Sequence, residues 1–382
     1  MTVFFNYAEL TWPEISKLPR DTPLLIPLGE SYPLDVVANV LGNPDRAGLL
    51  PPIPYGWSGS GLEVTNSLFE RTLSNLLDSL REDGFTNVAA LTPTGVGSEM
   101  GASRLSLPIS EKKQGNLPPA IVPDTALGKV LIIPIGHTEQ HGYHLPMSTD
   151  SIIIEAIAQG VSIAAPERAF TLPVMPYGVS THRSSFAGTL NIGGRAFEEF
   201  WGGVIDNLAN RGFDRYYLLS GHGGNCSYLV NVVKSAGERH RRIFCSTAWL
   251  YLSGPRGVSA LEKHRRSPVG GMGHAGELET SIMLTLRPEL VHMERVVDET
   301  DFIATPSYFM DWVEGGALVA NPPWDDDTAT GAYGAGSLAT AENGAIWLSV
   351  AIEEKIAHVD EIHEQQRRRE ERRSSGFGRW GK

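Results

Sequence analysis

Residues 130–150 decide the fold and read Val-Leu-Ile-Ile-Pro-Ile-Gly-His-Thr-Glu-Gln-His-Gly-Tyr-His-Leu-Pro-Met-Ser-Thr-Asp. The apolar run 130–133 predicts a buried strand, and Pro134 and Gly136 predict that it gives way to a loop. That loop carries the polar side chains Glu139, His141, His144 and Asp150. The stretch therefore predicts a strand followed by a cluster of potential metal ligands.

Two of these side chains can point at one position in space. Residues i and i+2 of an extended segment project to the same side, so Glu139 and His141 face the same way. Carboxylate and imidazole together suit zinc, manganese or iron better than calcium, which prefers oxygen ligands. Two simpler interpretations stay open: a polar loop with incidental histidines, and an Asp150 that only caps the following helix.

Composition excludes several classes of function. The chain has 382 residues, 41% apolar and 20% charged, which is typical of a globular protein with one large or two moderate domains. Its formal charge of -12 argues against nucleic acid as a partner, because phosphate binding needs a basic face. The basic cluster at 367–373 contains Glu370 and Glu371 and fits a solvated helix end or an intersubunit contact.

The sequence predicts a cytoplasmic protein with no membrane partner. Its two cysteines, Cys226 and Cys245, are too few for a disulfide framework and fit a reducing compartment. The N-terminus lacks a basic region followed by an apolar core, so no signal peptide is expected. No apolar run reaches the roughly 18 residues that a membrane span needs.

From residue 127 onward the sequence alternates strands and helices. Helices are predicted at 151–165, 196–211, 282–286 and 340–356, and strands at 171–175, 215–219 and 245–252. This alternation predicts an α/β fold with a mainly parallel sheet flanked by helices, whose ligands bind at the carboxyl ends of the strands. Residues 254–273 are predicted to be a long loop, a lid or rim, and 321–337 a loop without assigned chemistry.

Two later segments add potential ligands. Gly221-His222-Gly223-Gly224-Asn225 follows a predicted strand, and its glycines leave His222 exposed at the strand tip. His274-Ala275-Gly276-Glu277-Leu278-Glu279 precedes a helix that opens with two carboxylates. Acidic residues in a first turn also complement the helix dipole, and we expect that role of at least one of the two.

The first third of the chain resembles the middle but contains no histidine. Residues 24–29 match 131–136, and 69–85 match 197–213 at a constant offset of 128. The ligand candidates have no counterpart in the first third, because Tyr32 aligns with Glu139, Leu34 with His141, and Thr94 with His222. We interpret this third as a degenerate duplicate that packs against the active half or closes a subunit interface, with chance similarity as the alternative.

Four parts of the chain are predicted on this basis. Residues 1–100 form the degenerate, non-catalytic half, and 101–126, rich in Ser, Pro, Gly and Lys, form a linker. Residues 127–360 form the catalytic domain, and 361–382 form a charged C-terminal tail. Catalysis is therefore expected in the second half alone.

Three segments together resemble the creatininase family, also called creatinine amidohydrolase-like proteins. They are Gly136-x-x-Glu139-Gln140-His141-Gly142-x-His144-Leu145-Pro146 with Asp150, Gly221-His222-Gly223-Gly224-Asn225, and His274-Ala275-Gly276-Glu277-x-Glu279-Thr280-Ser281. The likeness spans about residues 127–356. The opening Leu-Thr-Trp-Pro-Glu at 10–14 also looks like the usual start of such a protein, which supports the degenerate duplication.

The resemblance implies a creatininase-like α/β fold that holds two divalent metal ions, either zinc, manganese or iron. Carried over by position, the ligands would be Glu139, His141, Asp150, His222 and a carboxylate of the last motif, with Asp150 as the bridge. Glu279 is preferred to Glu277 because it matches the Glu-Thr-Ser part of the motif. Glu277 is then a catalytic candidate beside His274.

The implied activity is that of an amidohydrolase, a metal-dependent hydrolase acting on C–N bonds other than peptide bonds. In such an enzyme a water held between two cations would lose a proton near neutral pH, and the metal-bridged hydroxide would attack an amide carbonyl that one metal polarises. His274 would protonate the leaving nitrogen or stabilise the tetrahedral intermediate. The alternative for His274 is a structural histidine at a helix start.

Departures from the family's pattern bear on the substrate. Creatininase itself has a carboxylate where this chain has Gly224, and aromatic residues where it has Gly270 and Gly271, so creatinine is not the expected substrate. We expect a small cyclic amide, a lactam or a formamide, although the resemblance also keeps peptide trimming open. The residues expected to contact the substrate are His144, Tyr177, His182 and Arg183.

Two hypotheses of function follow. The first is a dinuclear amidohydrolase that acts on a small molecule and forms a homo-oligomer, as the resemblance implies. The second is a catalytically inactive metal-binding scaffold or ligand-binding subunit that uses the N-terminal half as its working surface. An intact set of five ligands favours the first, because a protein without catalysis has no need to keep them all.

Overall fold

The chain folds into two parallel β-sheets, one in each half of the sequence. The computed structural model describes residues 1–96, 104–107, 121–181, 185–309, 311–313 and 316–376. The elements of the first half are β1 (Val3–Asn6), α1 (Trp12–Ser16), β2 (Leu24–Pro27), α2 (Leu34–Val40), β3 (Arg46–Leu49), α3 (Asn66–Glu82), β4 (Val88–Pro93) and β5 (Arg104–Leu107). The strands of this half are parallel and follow the order β1-β3-β2-β4-β5 across the sheet.

The second half repeats the alternation of strands and helices. Its elements are β6 (Val130–Ile135), α4 (Thr149–Ala164), β7 (Ala169–Thr171), α5 (Gly194–Asn210), β8 (Arg215–Ser220), α6 (Gly223–Arg239), β9 (Phe244–Ala248), α7 (Pro255–His264), α8 (Glu277–Leu286) and α9 (Ala341–Ser374). Its strands are parallel as well, in the order β7-β6-β8-β9. The predicted α/β fold with parallel sheets flanked by helices is confirmed.

Strand β6 is apolar throughout because helices cover both faces of its sheet. Leu131, Ile133 and Ile135 point into a core that also contains side chains of the first half. Val130 and Ile132 point the other way, into a core built with α4, α8 and α9. Alternate residues of a strand face opposite sides, so a strand covered on both sides needs an unbroken apolar run.

The two halves are joined by packing and by hydrogen bonds. Helices α3 and α5 lie against each other. The hydroxyl of Tyr177 donates to the backbone carbonyl of Pro51 at 2.5 Å, and the indole N–H of Trp12 donates to that of Thr330 at 2.9 Å. The first half therefore supports loops that surround the carboxyl edge of the second sheet.

Several predicted boundaries differ from the observed ones. Residues 254–273 were predicted to be loop, but α7 forms there because Pro255 suits a first helical turn and Leu261 is buried against the core. Strand β5 lies inside the predicted linker 101–126, since it adds a parallel edge to β4. The predicted strand 171–175 is displaced toward β7, which ends at Thr171.

Helix α9 continues through the predicted boundary at residue 360. It spans 34 residues, and its last turns carry exposed Arg–Glu pairs such as Arg367 with Glu364, 2.8 Å apart. Pairs at this spacing favour continued helix, which is why the predicted charged tail does not begin as a separate segment. Within the described ranges, no helix combines the length and the apolar composition needed to cross a bilayer.

Asp83, at the end of α3, makes the contact between the halves sensitive to pH. Its Oδ2 accepts a 2.7 Å hydrogen bond from the backbone N–H of Gly188. Burial raises the pKa of Asp83 to about 6, although that hydrogen bond opposes the shift. Because the folded pKa lies above the unfolded value, this group's contribution to stability is largest at low pH and is lost as the pH rises from about 4 to about 6.

Asp83→Asn is expected to remove this pH dependence while keeping an oxygen acceptor for Gly188. Between pH 4 and pH 7 the wild type should lose about 2 kcal/mol of unfolding free energy through Asp83, and the variant should not show this loss. Denaturant unfolding at both pH values measures the difference. Asp78→Asn, at an exposed site on the same helix, is the control, and an equal loss in both variants would contradict the assignment.

Candidate metal centre

Potential metal ligands converge at the carboxyl edge of the second sheet. Glu139 and His141 lie on the loop after β6, and His222 lies between β8 and α6. Asp150 is in the first turn of α4, and Glu279 is in the first turn of α8. All five side chains are buried. The N-terminal ends of these helices carry partial positive charge, which stabilises the nearby carboxylates.

Asp150 occupies the centre of this cluster. Its Oδ1 lies 3.0 Å from His141 Nε2, and its Oδ2 lies 3.4 Å from His222 Nδ1. His222 Nδ1 is also 3.1 Å from Glu139 Oε1. His141 Nε2 is 3.8 Å from Glu279 Oε2. The two oxygens of Asp150 thus face two different histidine–glutamate pairs.

Glu279 is held by backbone and side-chain donors. Its Oε2 accepts a 2.7 Å hydrogen bond from the N–H of Ala275, and its Oε1 accepts one of 3.3 Å from the hydroxyl of Tyr251. Ala275 has a φ of 54°, in the left-handed region that costs a residue with a side chain about 1 kcal/mol. This backbone conformation directs the Ala275 N–H at the carboxylate, so the strain serves to fix Glu279.

Backbone carbonyls orient three of the imidazole rings. The donor and acceptor pairs are His141 Nδ1 with Glu139 O (3.0 Å), His222 Nε2 with Val179 O (2.9 Å), and His274 Nε2 with Gln140 O (2.7 Å). Each carbonyl fixes the proton on the nitrogen that faces it. In the neutral form of each ring, the other nitrogen faces the carboxylates with its lone pair, which is the orientation found in metal-binding histidines.

The charges in the cluster depend on one another. Burial alone would lower the pKa of His141, but the carboxylates of Asp150, Glu279 and Glu139 raise it to about 9. The pKa of His222 is also raised, against the effect of burial, by Glu139 and Asp150. Burial raises the pKa of Glu279 to about 7, although His141 opposes the shift. The carboxylates therefore attract positive charge, which imidazolium rings or metal cations can supply.

The donor set fits divalent metal ions. Three groups have ligand atoms within 4.8 Å of one another: His137, Glu139 and His222; Glu139, His141 and His274; and His141, Asp150 and Glu279. Within the described part of the chain, Glu139 Oε1 and Asp150 Oδ2 are buried without a hydrogen-bond partner. Such oxygens are costly to bury unless a cation binds them, and mixed carboxylate and imidazole ligands suit zinc, manganese and iron.

A cavity with aromatic walls opens beside the cluster. It has a volume of about 750 Å³, and its lining includes Glu139, Asp150, His222, His274, Glu279, Tyr228, Trp249, Tyr308, Trp312 and Trp324. The ring of Trp324 lies 4.9 Å from that of His274, at an angle of 67°. A molecule in this cavity would contact ring faces on one side and the charged cluster on the other.

Glu277, predicted as a catalytic candidate, faces away from the cluster. Its carboxylate accepts hydrogen bonds from the backbone N–H groups of Arg266 (2.9 and 3.0 Å) and Ser267 (2.7 Å). It lies outside the three donor groups described above. Its observed contacts anchor the loop before α8, and a catalytic role stays a prediction.

The residues predicted to contact the substrate are dispersed. His144 Nε2 lies 2.9 Å from Thr280 Oγ1, and Tyr177 points to the first half of the chain. Neither belongs to the lining of the cavity. His182 and Arg183 lie outside the described residues.

Sequence reasoning assigned no role to three residues of the site. His137 belongs to one of the donor groups. Gln140 Nε2 donates to the carbonyl of Gly331 at 2.8 Å and lies 3.2 Å from His274 Nε2. Trp324 lies in the loop 321–337, to which no chemistry was assigned. His137 lies two residues before Glu139 on the same extended segment, so the alternation of side chains along it predicts that both face the same way. No pattern in the sequence points to Trp324.

The comparisons with known proteins agree with this geometry. The sequence profile described as "Creatininase: Creatinine amidohydrolase" matches residues 122–359, more than half of the chain. The chain belongs to the creatininase family. The family predicted from the sequence motifs is thereby confirmed.

Relatives within the creatininase family have different named activities. The chain is 28% identical over 249 residues to the creatinine amidohydrolase of Pseudomonas putida, covering 59% of this chain and 86% of that protein. It is 32% identical over 175 residues to the mycofactocin precursor peptide peptidase of Mycobacterium ulcerans (strain Agy99), covering 44% of this chain and 62% of that protein. A solved mutant creatininase described as Zn-Zn type has a TM-score of 0.51 and 25% identity, covering 62% of this chain and 91% of that one.

Gly224 lies against His222 with no space for a side chain. A Cβ atom at this position would lie 2.4 Å from both the carbonyl oxygen of Val179 and Nε2 of His222. Any side chain would therefore disrupt the hydrogen bond that orients His222. A carboxylate side chain at this position would therefore not fit the observed backbone.

Proposed function

We propose that this protein is a metal-dependent amidohydrolase with two divalent ions bound by Glu139, His141, Asp150, His222 and Glu279. The central position of Asp150 is the observation that carries the proposal. Glu139 and His222 would share one ion with Asp150, and His141 and Glu279 would share the other with it. Zinc, manganese and iron all suit this donor set. The Zn-Zn description of the related mutant creatininase favours zinc.

The chain's own residues divide the work around the ions. Two bound cations supply positive charge that polarises a carbonyl and makes water a stronger acid. His274 presents Nδ1 3.5 Å from Glu139 Oε1, while Gln140 fixes its other nitrogen. Burial lowers the pKa of His274 to about 3, so the resting ring is neutral and Nδ1 carries a lone pair. Nδ1 could therefore take a proton from the attacking water and then pass it to a leaving nitrogen. The Trp324 ring packs against His274 and limits its access to bulk water.

A small cyclic amide, a lactam or a formamide is the substrate class we propose. Ring faces of Trp249, Trp312 and Trp324 in the cavity lining would hold a flat molecule beside the cluster. Peptide trimming is the second candidate. The similarity to a peptide peptidase favours it, and so does a cavity of about 750 Å³, which exceeds the needs of a lone small ring.

A substrate screen with matched metal states tests the proposal. The zinc-loaded protein should hydrolyse at least one member of a panel of lactams, cyclic ureas, formamides and short peptides, and the chelator-treated protein should hydrolyse none. Turnover of the ring compounds alone supports the first substrate class, and turnover of peptides alone supports the second. Metal uptake without turnover of any compound would instead favour the non-catalytic scaffold.

We also infer that the first half of the chain is a degenerate copy of the second. Without β1, the strand order β3-β2-β4-β5 in the first sheet corresponds to β7-β6-β8-β9 in the second. Each end of α5 lies 128 residues after the same end of α3, and the ion pair Arg71–Glu199 joins positions 128 apart. Two equivalent residues meet at this ion pair, as residues near a two-fold axis do.

Reciprocal contacts around this ion pair support the copy. Asn207 Nδ2 donates to Glu63 O at 3.3 Å, and Asn191 N–H donates to Ser79 Oγ at 3.1 Å. At the same offset of 128, Glu63 corresponds to Asn191 and Ser79 corresponds to Asn207, so the two contacts join the same two pairs of equivalent positions. An interface of this kind supports a first half that packs as a second copy would in a symmetric dimer. Assembly into a homo-oligomer stays a prediction.

A non-catalytic first half has a simple test. Leu34 and Thr94, which align with His141 and His222, are exposed. The double variant Leu34→Ala, Thr94→Ala should keep the metal content and turnover of the wild type, because neither position would bind metal. A loss of either property in a folded double variant would show that the first half contributes to the site.

A further inference from the structure

His137 accepts a hydrogen bond from the backbone, whereas the other histidines of the site donate one to it. The backbone N–H of Gly178 donates to His137 Nδ1 at 2.9 Å. Nδ1 must therefore accept, and in the neutral ring the proton lies on Nε2. The rings of His141, His222 and His274 instead donate to backbone carbonyls, which in the neutral rings leaves a lone pair on their inward nitrogen.

The inward nitrogen of His137 is thus an N–H donor. It lies 3.9 Å from Glu139 Oε2 and has no hydrogen-bond partner among the residues that the structure describes. The ring is fully buried, and its centroid is 4.5 Å from that of His222. Reversing the tautomer would place two N–H groups against each other at Gly178 and leave a buried backbone donor unsatisfied. The surroundings therefore fix the donor orientation.

We infer that His137 is a positioning residue that directs its Nε2–H at Glu139, and that it is not a metal ligand. This inference rests on the proposed function, because it assigns Glu139 to a bound ion. Glu139 Oε1 lies 3.1 Å from His222 Nδ1 and 3.5 Å from His274 Nδ1, while Oε2 faces His137. A donor on the Oε2 side would leave Oε1 as the oxygen that is available to an ion.

The sequence explains why this residue reaches the site. His137 and Glu139 are two residues apart on the extended segment after β6, so both side chains project to the same side. Gly178 reaches the ring from the loop after β7, which brings a second strand end to the same place. Residues that hold a metal-binding group in this way contribute about 10- to 100-fold to metal affinity.

Two substitutions separate the functions of the ring. His137→Asn can keep an acceptor for Gly178 through its side-chain oxygen, but it has no donor at the position of Nε2. His137→Gln extends an amide N–H toward Glu139. The measurements are zinc binding by isothermal titration, zinc content at saturation, and the melting temperature of the metal-free protein.

We expect His137→Asn to bind two zinc ions, one of them about 10- to 100-fold more weakly than in the wild type. His137→Gln should recover most of that affinity, and the metal-free melting temperature of His137→Asn should stay close to that of the wild type. Unchanged zinc affinity in His137→Asn overturns the inference, and so does a saturating content of one ion, which would make His137 a ligand. A metal-free His137→Asn protein that melts much earlier assigns the ring a structural role and also overturns it.

The wild type distinguishes this inference from the proposed function. Two zinc ions bound to the wild type, together with an unaffected His137→Asn, refute the positioning role alone. A wild-type protein that binds no zinc refutes the metal centre and the positioning role together.

Discussion

Replacing Asp150 with asparagine is expected to remove both metal ions and to lower turnover by about a thousand-fold or more. Metal ions contribute several kcal/mol to reactions of this kind, and each 1.36 kcal/mol is a factor of ten in rate. Both ions should be lost because Asp150 lies between the two proposed ion positions. Asp150 faces His141 with one oxygen and His222 with the other, so a single change affects both proposed ion positions.

The substitution preserves shape while removing charge. Asparagine keeps one oxygen but replaces the other by an amide nitrogen that cannot bind a cation. Elemental analysis and turnover of the purified variant measure the effect. Glu155→Gln is the matched control, because it makes the same acid-to-amide change on the same helix α4 outside the ligand cluster. An Asp150→Asn protein with two ions and normal turnover would contradict the bridging role.

His274→Gln is expected to keep both ions and lose most of its turnover. General acid catalysis contributes about 100- to 10,000-fold, and that is the loss we expect in kcat. His274 lies in the cavity lining and beside Glu139, whereas the five proposed ligands already account for both ions. The glutamine amide can still donate to the carbonyl of Gln140, so the loop should keep its conformation.

Metal content decides between catalysis and ligation for His274. His274 belongs to a donor group with Glu139 and His141, so a ligand role is chemically available. A His274→Gln protein that retains only one ion would assign it that role and contradict ours. His292→Gln, outside the cavity lining, is the control for the loss of an imidazole.

The balance of charge in the site has a consequence for metal binding. The carboxylates around His141 raise its pKa to about 9, against the effect of burial. At pH 7, which is below that value, the ring holds a proton that a metal ion must displace, so ligation releases it. Metal affinity should therefore increase with pH up to about 9. The same carboxylates that favour the imidazolium favour the cation that replaces it.

The sequence predicted the parts of the site that follow strand ends. The apolar run of β6, the glycines after β8 and the strand–helix alternation place Glu139, His141 and His222 at one edge of a parallel sheet. This rule depends only on the direction of the strands, so it needs no knowledge of side-chain packing. The proposed ligands Asp150 and Glu279 also lie in the first turns of helices, where the sequence placed them.

The direction of side chains at a helix start could not be predicted. Residues two apart on a helix point about 200° away from each other, so Glu277 and Glu279 cannot both face the cluster. The backbone N–H groups of Arg266 and Ser267 occupy the Glu277 carboxylate, and that contact depends on how a distant loop folds. Motif matching favoured Glu279, but spacing alone did not.

Contacts between distant segments were also beyond the reach of sequence patterns. Trp324 reaches His274 from a loop without periodicity, 50 residues later in the chain. Tyr177 follows β7 as a site residue would, yet its hydroxyl donates to Pro51 in the first half. The predicted duplicate did not indicate which side chains would be used to join the halves, because packing and not spacing decides that.

Zinc titration of the chelator-treated protein, with turnover measured at each addition, tests the dinuclear centre most directly. The metal-free protein should be inactive, turnover should appear as zinc is added, and both binding and activity should saturate at two ions per chain. Full turnover in the metal-free protein, or saturation of binding and activity at one ion, would contradict a centre in which Asp150 bridges two metals.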